Sequence, residues 1–223
     1  MKNLYIQIQI GPELYSKDPN SSALGQKIIS NSITLIHEIG FEDFTFRKLG
    51  KHIQSNESSI YRYFENKHSL LVYLTSWYWS WIEYRLVFAT TNIASPTERL
   101  KKSILIITQQ VKEDNSFGYI NEVLLSEIIF SESVKAYHTK NVDEENNRGC
   151  FMAYVGVVQR LSNIVLEIKP SFKFPHMLIS TVIEGAHQQN YFGKHLPKLT
   201  DKGKDSEAIT EFYSEMVFNF LKK

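Results

Sequence analysis

The chain has 223 residues, of which 43% are hydrophobic and 22% are charged, proportions that suit a soluble protein with one sizeable core. Its net charge of +1 excludes a global electrostatic attraction for nucleic acid. Cys150 is the only cysteine and no segment has the length of a membrane span or the pattern of a signal peptide, so we expect a cytoplasmic protein without disulfides.

The first 21 residues are predicted to form an arm or linker. Leu4 to Ile10 alternate apolar and less apolar side chains with the period of a β-strand, and Gly11-Pro12 ends the pattern. A single strand has no sheet to join in a chain that otherwise reads as helical. We therefore expect a loosely attached arm, or a strand that pairs with a partner chain.

Two short helices are predicted next. The first runs from about Leu24 to Ile39, where isoleucine and leucine recur at helical spacing. Gly40 follows at the position where helices often end in a left-handed residue. Thr45 is a suitable N-cap for a second helix that ends near Ile53.

A third helix of about Glu57 to Phe64 follows the turn at residues 54–56, with Asn56 as its N-cap. The second and third helices have the spacing of a helix-turn-helix, in which the third helix lies in a DNA major groove. Ile60 is expected to face the core of the three helices.

The remaining chain is predicted to be helical as well, with no repeat and no low-complexity tract. Asn66 can cap a fourth helix that extends to about Phe88, and Pro96 after Ser95 opens the next. The later predicted helices are about Thr97 to Lys112, Asn121 to Phe130, Glu132 to His138, Pro175 to Gly193 and Ser206 to Leu221. Residues 143–147 are predicted to begin or to precede a further long helix that ends near Lys169.

DNA contacts are expected from cations, hydroxyl groups and backbone amides of the helix-turn-helix. Residues 27–67 contain six Lys and Arg against five Asp and Glu, which argues against strong nonspecific affinity. Tyr61 and Tyr63 are expected to project outward, where their hydroxyls can reach phosphates or bases. The candidate DNA-binding residues are Thr45, Arg47, Asn56, Glu57, Ser58, Ser59, Tyr61, Arg62, Tyr63 and Lys67.

The segment 24–75 resembles the DNA-binding domain of TetR-family transcriptional regulators. The matching positions are Gly40-Phe41, Thr45, Arg47, Leu49-Gly50, the run Ile60-Tyr61-Arg62-Tyr63-Phe64, Asn66-Lys67 and Leu70-Leu71. The sequence departs from the family at Gln54-Ser55, where a Gly and an apolar residue are usual, and at Glu57, which is often Lys.

The resemblance implies an all-α fold with a helix-turn-helix domain at 22–68 and a helical effector-binding and dimerisation domain at 69–223. It also implies a homodimer, because two recognition helices must reach half-sites of a palindromic operator about one duplex turn apart, roughly 34–36 Å. The apolar run Cys150 to Val158 and the last helix are our candidates for a two-fold interface. The alternative for the run Cys150 to Val158 is a central helix that is buried within one monomer and forms no interface.

Aromatic side chains of the second domain are candidates to enclose a small apolar or aromatic inducer, with a few polar groups to orient it. The alternative is that each of these side chains packs in the hydrophobic core and contacts no ligand. The candidate ligand-binding residues are Trp77, Trp81, Tyr84, Phe88, Phe117, Phe151, Tyr154, Gln159, Glu184 and His187.

No catalytic, metal-binding or cofactor-binding motif is found, because HExxH, GxSxG, GxGxxG and a phosphate-binding glycine loop are all absent from the sequence. We therefore predict a non-enzymatic transcriptional regulator, a homodimeric repressor that releases double-stranded DNA when a small ligand binds. The alternative is a helical dimer with a degenerate DNA-binding domain that acts through protein contacts.

Overall fold

The computed structural model describes residues 8–113, 117–201 and 207–222, and within them it contains helices but no strand. The predicted all-α fold is thus confirmed. None of the described helices has the length and apolarity to cross a membrane. The α-helices are α1 (Ala23–Asp43), α2 (Phe46–His52), α3 (Glu57–Ile60), α4 (Lys67–Thr90), α5 (Pro96–Thr108), α6 (Glu122–Glu132), α7 (Val134–Tyr137), α8 (Val142–Asn147), α9 (Met152–Ile168), α10 (Pro175–His195) and α11 (Ala208–Lys222).

Local capping signals account for several of the helix starts. The Thr45 hydroxyl accepts a hydrogen bond from the Lys48 amide at 3.2 Å, as expected of an N-cap. Asn66 caps α4 in the same way, accepting from the Ser69 amide at 2.9 Å. Gly40 has a φ of 77° and interrupts α1, in the left-handed region that its lack of a side chain permits.

Three predicted elements differ in the structure. The third helix ends at Ile60 rather than Phe64, and a turn follows it. The long helix predicted up to Lys169 is divided into α8 and α9, with Gly149 at a φ of 88° between them. Of the predicted N-terminal strand, Leu4 to Gln7 lie outside the described residues, and Ile8 to Ile10 belong to no helix or strand.

The chain divides into two compact units. The first unit contains Met1–Ser80 and Val111–Met152, and the second contains Trp81–Gln110 and Ala153–Lys223. The predicted functional division after residue 68 stays a prediction. In the first unit α1 packs on α2 and α6, around a core that includes Ile33, Phe44 and Phe64, all almost fully buried.

In the second unit α5, α10 and α11 pack against one another. Ile104, Val157 and Val182 are fully buried there, as the helical spacing of apolar residues requires. Gly185 lets α10 and α11 approach closely, because a side chain at this position would collide with the hydroxyl of Tyr213. The core of this unit thus combines aliphatic side chains with the buried aromatic rings of Trp81 and Tyr213.

We expect the second unit to lose stability in mild acid because of His187. The imidazole is buried, and desolvation lowers its pKa to about 3, whereas an unfolded histidine has a pKa of about 6.5. Between these values the unfolded state binds more protons, so stability falls as the pH falls below about 6.5. The expected loss at pH 5 is about 2 kcal/mol relative to neutral pH.

Denaturant unfolding at pH 7.5 and pH 5 measures this loss. His187→Gln should reduce the difference between the two pH values, whereas the same change at the exposed His195 should not. If the free energy of unfolding falls equally with pH in the native protein and in the His187→Gln variant, His187 is not the cause of the loss.

Candidate nucleic-acid interface

The turn between α2 and α3 brings the two helices of the motif into a fixed arrangement. The Ser55 amide donates to the Gly50 carbonyl at 2.8 Å. A β-carbon at Gly50 would lie only 2.9 Å from the Ser55 carbonyl oxygen, so a small residue is needed there. Gln54 has a φ of 54° and takes the left-handed conformation that the resemblance assigns to glycine, at a cost of about 1 kcal/mol. The turn of the helix-turn-helix therefore forms even though Gln54 stands where the family usually has glycine.

Tyr61 is an exposed aromatic side chain of the recognition segment, which we define as Glu57–Phe64. Half of its surface is exposed, and its ring packs edge-on against the buried Phe46 with 5.0 Å between ring centroids. Ser58 is exposed beside it, while Glu57 and Ser59 are half-buried. Asn56 is occupied as the cap of α3, since its side-chain oxygen accepts from the Ser58 amide at 3.1 Å.

Three cations of the helix-turn-helix are exposed and available to phosphates. Arg47, Lys51 and Arg62 make no hydrogen bond or ion pair within the described part of the chain. Arg47 and Lys51 are four residues apart and therefore lie on one face of α2. Lys51 was not among the candidates from sequence, although this spacing from Arg47 is a signal for it.

The other lysines of the motif bind backbone carbonyls. Lys67 donates to the carbonyls of Phe41 and Glu42 at 3.0 and 2.9 Å, and its ammonium lies 4.8 Å from the Phe41 ring centre. Lys48 donates to the Asp43 carbonyl at 2.7 Å. Lys67 thus holds the end of α1 against the start of α4, and its proposed phosphate contact would compete with these bonds.

The expectation that Tyr63 projects outward is wrong. Its side chain is 2% exposed, and its hydroxyl lies 2.7 Å from the hydroxyl oxygen of Ser22. The reason is the early end of α3, since the turn after Ile60 directs residue 63 towards the N-terminal segment instead of along an outer helical face. Sequence periodicity assumed a longer helix and could not reveal this contact.

The aromatic candidates for ligand binding that belong to the first unit are mostly core residues. Trp77 and Phe117 are buried and pack edge-to-face with 5.5 Å between ring centroids. Phe151 is half-buried and lies 6.4 Å from the ring of Tyr137.

The second-unit candidates vary in exposure. Trp81 is buried and lies under the guanidinium of Arg85, whereas Phe88 is 77% exposed and stacks on Tyr84. The Tyr154 hydroxyl donates to Glu184 at 2.6 Å. His187 is buried in the same unit, and Gln159 is exposed, where its amide donates to Asn163 at 2.8 Å.

The first unit also contains a polar cleft of about 310 Å³. Its walls are residues 13–16, the beginning of α4 and residues 141–150. His68 and Glu145 form an ion pair across it at 2.7 Å when the imidazole is protonated. None of the predicted ligand-binding residues lines this cleft, because its walls come from three distant segments whose meeting no local pattern signals.

Comparison with known proteins supports the helix-turn-helix assignment. Residues 28–74 match the family model described as bacterial regulatory proteins, tetR family. The predicted resemblance is thus confirmed for this domain. This family is described as regulatory proteins, in agreement with the predicted non-enzymatic function. No curated protein sequence matches the chain significantly.

Several solved structures share the fold at low sequence identity. The fatty acid degradation regulator FadR from Bacillus halodurans is 13% identical with a TM-score of 0.56, over 94% of this chain and 96% of its own. The superantigen PfiT is 16% identical with a TM-score of 0.58, over 91% and 97%. AibR, in complex with isovaleryl coenzyme A and operator DNA, is 17% identical with a TM-score of 0.52, over 86% and 96%.

Proposed function

We propose that this chain, whose residues 28–74 form a tetR-type DNA-binding domain, is a cytoplasmic homodimeric repressor that leaves its operator when a small ligand binds. One observation carries the DNA-binding part of the proposal. Arg47, Lys51 and Arg62 are exposed and make no hydrogen bond or ion pair with the residues that the structure describes, on the same motif that exposes Tyr61. The other lysines of the motif bind backbone carbonyls.

These residues suit two different kinds of DNA contact. Arg47 and Lys51 on α2 are proposed to bind phosphates, which position a protein on the duplex without reading its sequence. Tyr61 and Arg62 of the recognition segment are proposed to reach base edges, where guanidinium groups bind guanine and aromatic rings pack on thymine methyl groups. Ser58 is small enough to permit a close approach.

We propose that dimerisation uses α9 and α11 of the second unit. Val155 on α9 and Phe212 and Phe220 on α11 are between 47% and 60% exposed. Exposed apolar side chains that form a contiguous patch mark a surface for binding another protein. A two-fold dimer would present two recognition segments to the half-sites of a palindromic operator.

The proposed ligand is apolar, an acyl or aromatic compound. FadR is a fatty acid degradation regulator, and AibR is seen in complex with isovaleryl coenzyme A, so one neighbour with this fold binds an acyl compound. The ligand would act by binding one dimer conformation more tightly than the other and so shift the population away from the DNA-binding state. The candidate ligand-binding residues remain a proposal.

A second function is favoured by two observations. The recognition segment begins with Glu57, whose carboxylate repels phosphate, and the structural neighbour PfiT, with a TM-score of 0.58, is a superantigen. The alternative is therefore a dimer whose DNA-binding domain has degenerated and which acts through protein contacts.

Salt-dependent DNA binding separates the two functions. The protein is first used to select duplexes from a random pool, and the affinity for the selected duplex is then measured from 50 to 200 mM salt. If Arg47 and Lys51 of each protomer contact phosphates, the slope of log K against log salt should be about −4 for the dimer. Lys51→Gln should reduce the slope by about 2 for the dimer, whereas Lys102→Gln on the exposed surface of α5 should leave it unchanged. Failure to enrich any duplex would favour the protein-contact alternative.

A further inference from the structure

Residues 8–22, which we call the strap, are packed against the first unit rather than loosely attached. Ile8, Ile10 and Leu14 are buried. Two short 3-10 turns, Pro12–Leu14 and Pro19–Ser21, shape the segment. The second turn lies so close to α1 that a side chain at Gly25 would collide with the backbone of Pro19. The backbone of the strap is therefore held in one conformation by its packing.

The strap holds Tyr63 at three places. The Ser16 amide donates to the Tyr63 carbonyl at 2.8 Å. The hydroxyls of Ser22 and Tyr63 are 2.7 Å apart and share a hydrogen bond, while Ser22 also caps α1 by accepting from the Gly25 amide. The ammonium of Lys17 lies 5.1 Å from the centre of the Tyr63 ring.

The strap is also tied to the part of the first unit that follows residue 111. Arg148 donates to the Glu13 carbonyl at 3.0 Å. The Tyr119 hydroxyl donates to the side-chain oxygen of Asn20. These contacts anchor the strap independently of Tyr63, so it can act as a support for the recognition segment.

The recognition segment needs such a support because α3 is only four residues long. A single helical turn is not stable by itself. Ile60 at its end is fully buried, and Tyr63 is 2% exposed. The two residues proposed to reach bases, Tyr61 and Arg62, lie between these two anchors and are exposed. The strap provides the second anchor.

We propose that Ser16 and Ser22 of the strap, with Tyr63, are positioning residues that set the pose of Tyr61 and Arg62 on DNA. This inference rests on the proposed function. Base contacts depend on the position of a side chain to a fraction of an ångström, whereas long cationic side chains on α2 tolerate small displacements. Loss of the strap contact should therefore reduce sequence discrimination more than general DNA affinity.

Tyr63→Phe tests the proposal, because it removes the hydroxyl that bonds Ser22 and keeps the buried ring. The measurement is the ratio of the affinity for the selected duplex to that for a scrambled duplex of the same composition. We expect this ratio to fall about tenfold in the dimer, the loss of one hydrogen bond in each protomer. The salt slope on the selected duplex should stay the same.

Two further variants make the test specific. Ser22→Ala removes the same bond and also the cap of α1, so it should lower the ratio at least as much as Tyr63→Phe. Adding Tyr63→Phe to Ser22→Ala should lower the ratio no further, because the bond between the two hydroxyls is already lost. Tyr213→Phe in the second unit removes another buried tyrosine hydroxyl and should leave the ratio unchanged.

Hydrogen exchange gives a readout without DNA. The amides of residues 61–64 should exchange faster in Tyr63→Phe than in the native protein, and unchanged exchange would overturn the proposal. An unchanged affinity ratio with normal binding by the native protein would also overturn it. A native protein that selects no duplex would instead overturn the proposed function, and with it the role in DNA recognition.

Discussion

Tyr61→Ala is expected to weaken binding to the selected duplex by about 10- to 100-fold, the usual effect of losing a base contact in each protomer. Tyr61 is half exposed at the end of α3, and its ring rests on the buried Phe46. That support fixes the ring without burying it, so the ring can contact a base or thymine methyl group at little entropic cost. Electrophoretic mobility shifts or fluorescence anisotropy with the selected duplex measure the loss.

Tyr61→Phe is the matched control, because the ring remains on Phe46 and only the hydroxyl is lost. A small effect of this change with a large effect of Tyr61→Ala would assign the contact to the ring. Equal losses would assign it to the hydroxyl. The oligomeric state should be the same for both variants by size-exclusion chromatography. Wild-type affinity in Tyr61→Ala would refute the placement of this residue in the interface.

The helix-turn-helix was predictable because its signals are local. Thr45, Asn56 and Asn66 each bond an amide two or three residues along the chain. Such caps depend on residue type and spacing alone, and the starts of α2, α3 and α4 follow from them. Gly40 likewise takes the positive φ that its position after a helical pattern indicates.

The roles of Tyr63 and Lys67 were not predictable, because their partners are distant in sequence. Tyr63 bonds a serine 41 residues before it, and Lys67 bonds carbonyls at separations of 25 and 26 residues. Neither partner leaves a periodic signal near the residue itself. The sequence of a DNA-binding motif does not show whether a tyrosine or a lysine in it faces the solvent or the protein interior.

The strap illustrates a related limit. Alternating apolar residues before Gly11 indicated a strand, but Ile8 and Ile10 are buried without any strand partner among the described residues. Apolar residues in an extended segment can be covered by helices as well as by a sheet. Periodicity therefore revealed that the segment has a buried side, and the identity of its neighbour came from the structure.

Trp77→Ala is expected to lower the free energy of unfolding by about 3–5 kcal/mol, the usual cost of removing a large aromatic side chain from a packed core. Trp77 is 2% exposed, and its ring contacts Phe117 edge-on in the first unit. Trp77 is also a candidate for ligand binding. A packed core residue and a residue that lines a ligand cavity should differ in how much free energy of unfolding is lost on substitution. A ring that lines an empty cavity has fewer packing partners, so its removal would cost less than in a packed core.

Urea or guanidinium unfolding of the full chain measures the cost of Trp77→Ala. Phe88→Ala is the control, because this phenylalanine is 77% exposed and its removal should change stability by less than about 0.5 kcal/mol. A loss below about 1 kcal/mol for Trp77→Ala would contradict tight packing and favour a cavity beside the ring. In that case an added apolar ligand should raise the unfolding midpoint of the native protein, because it binds only the folded state.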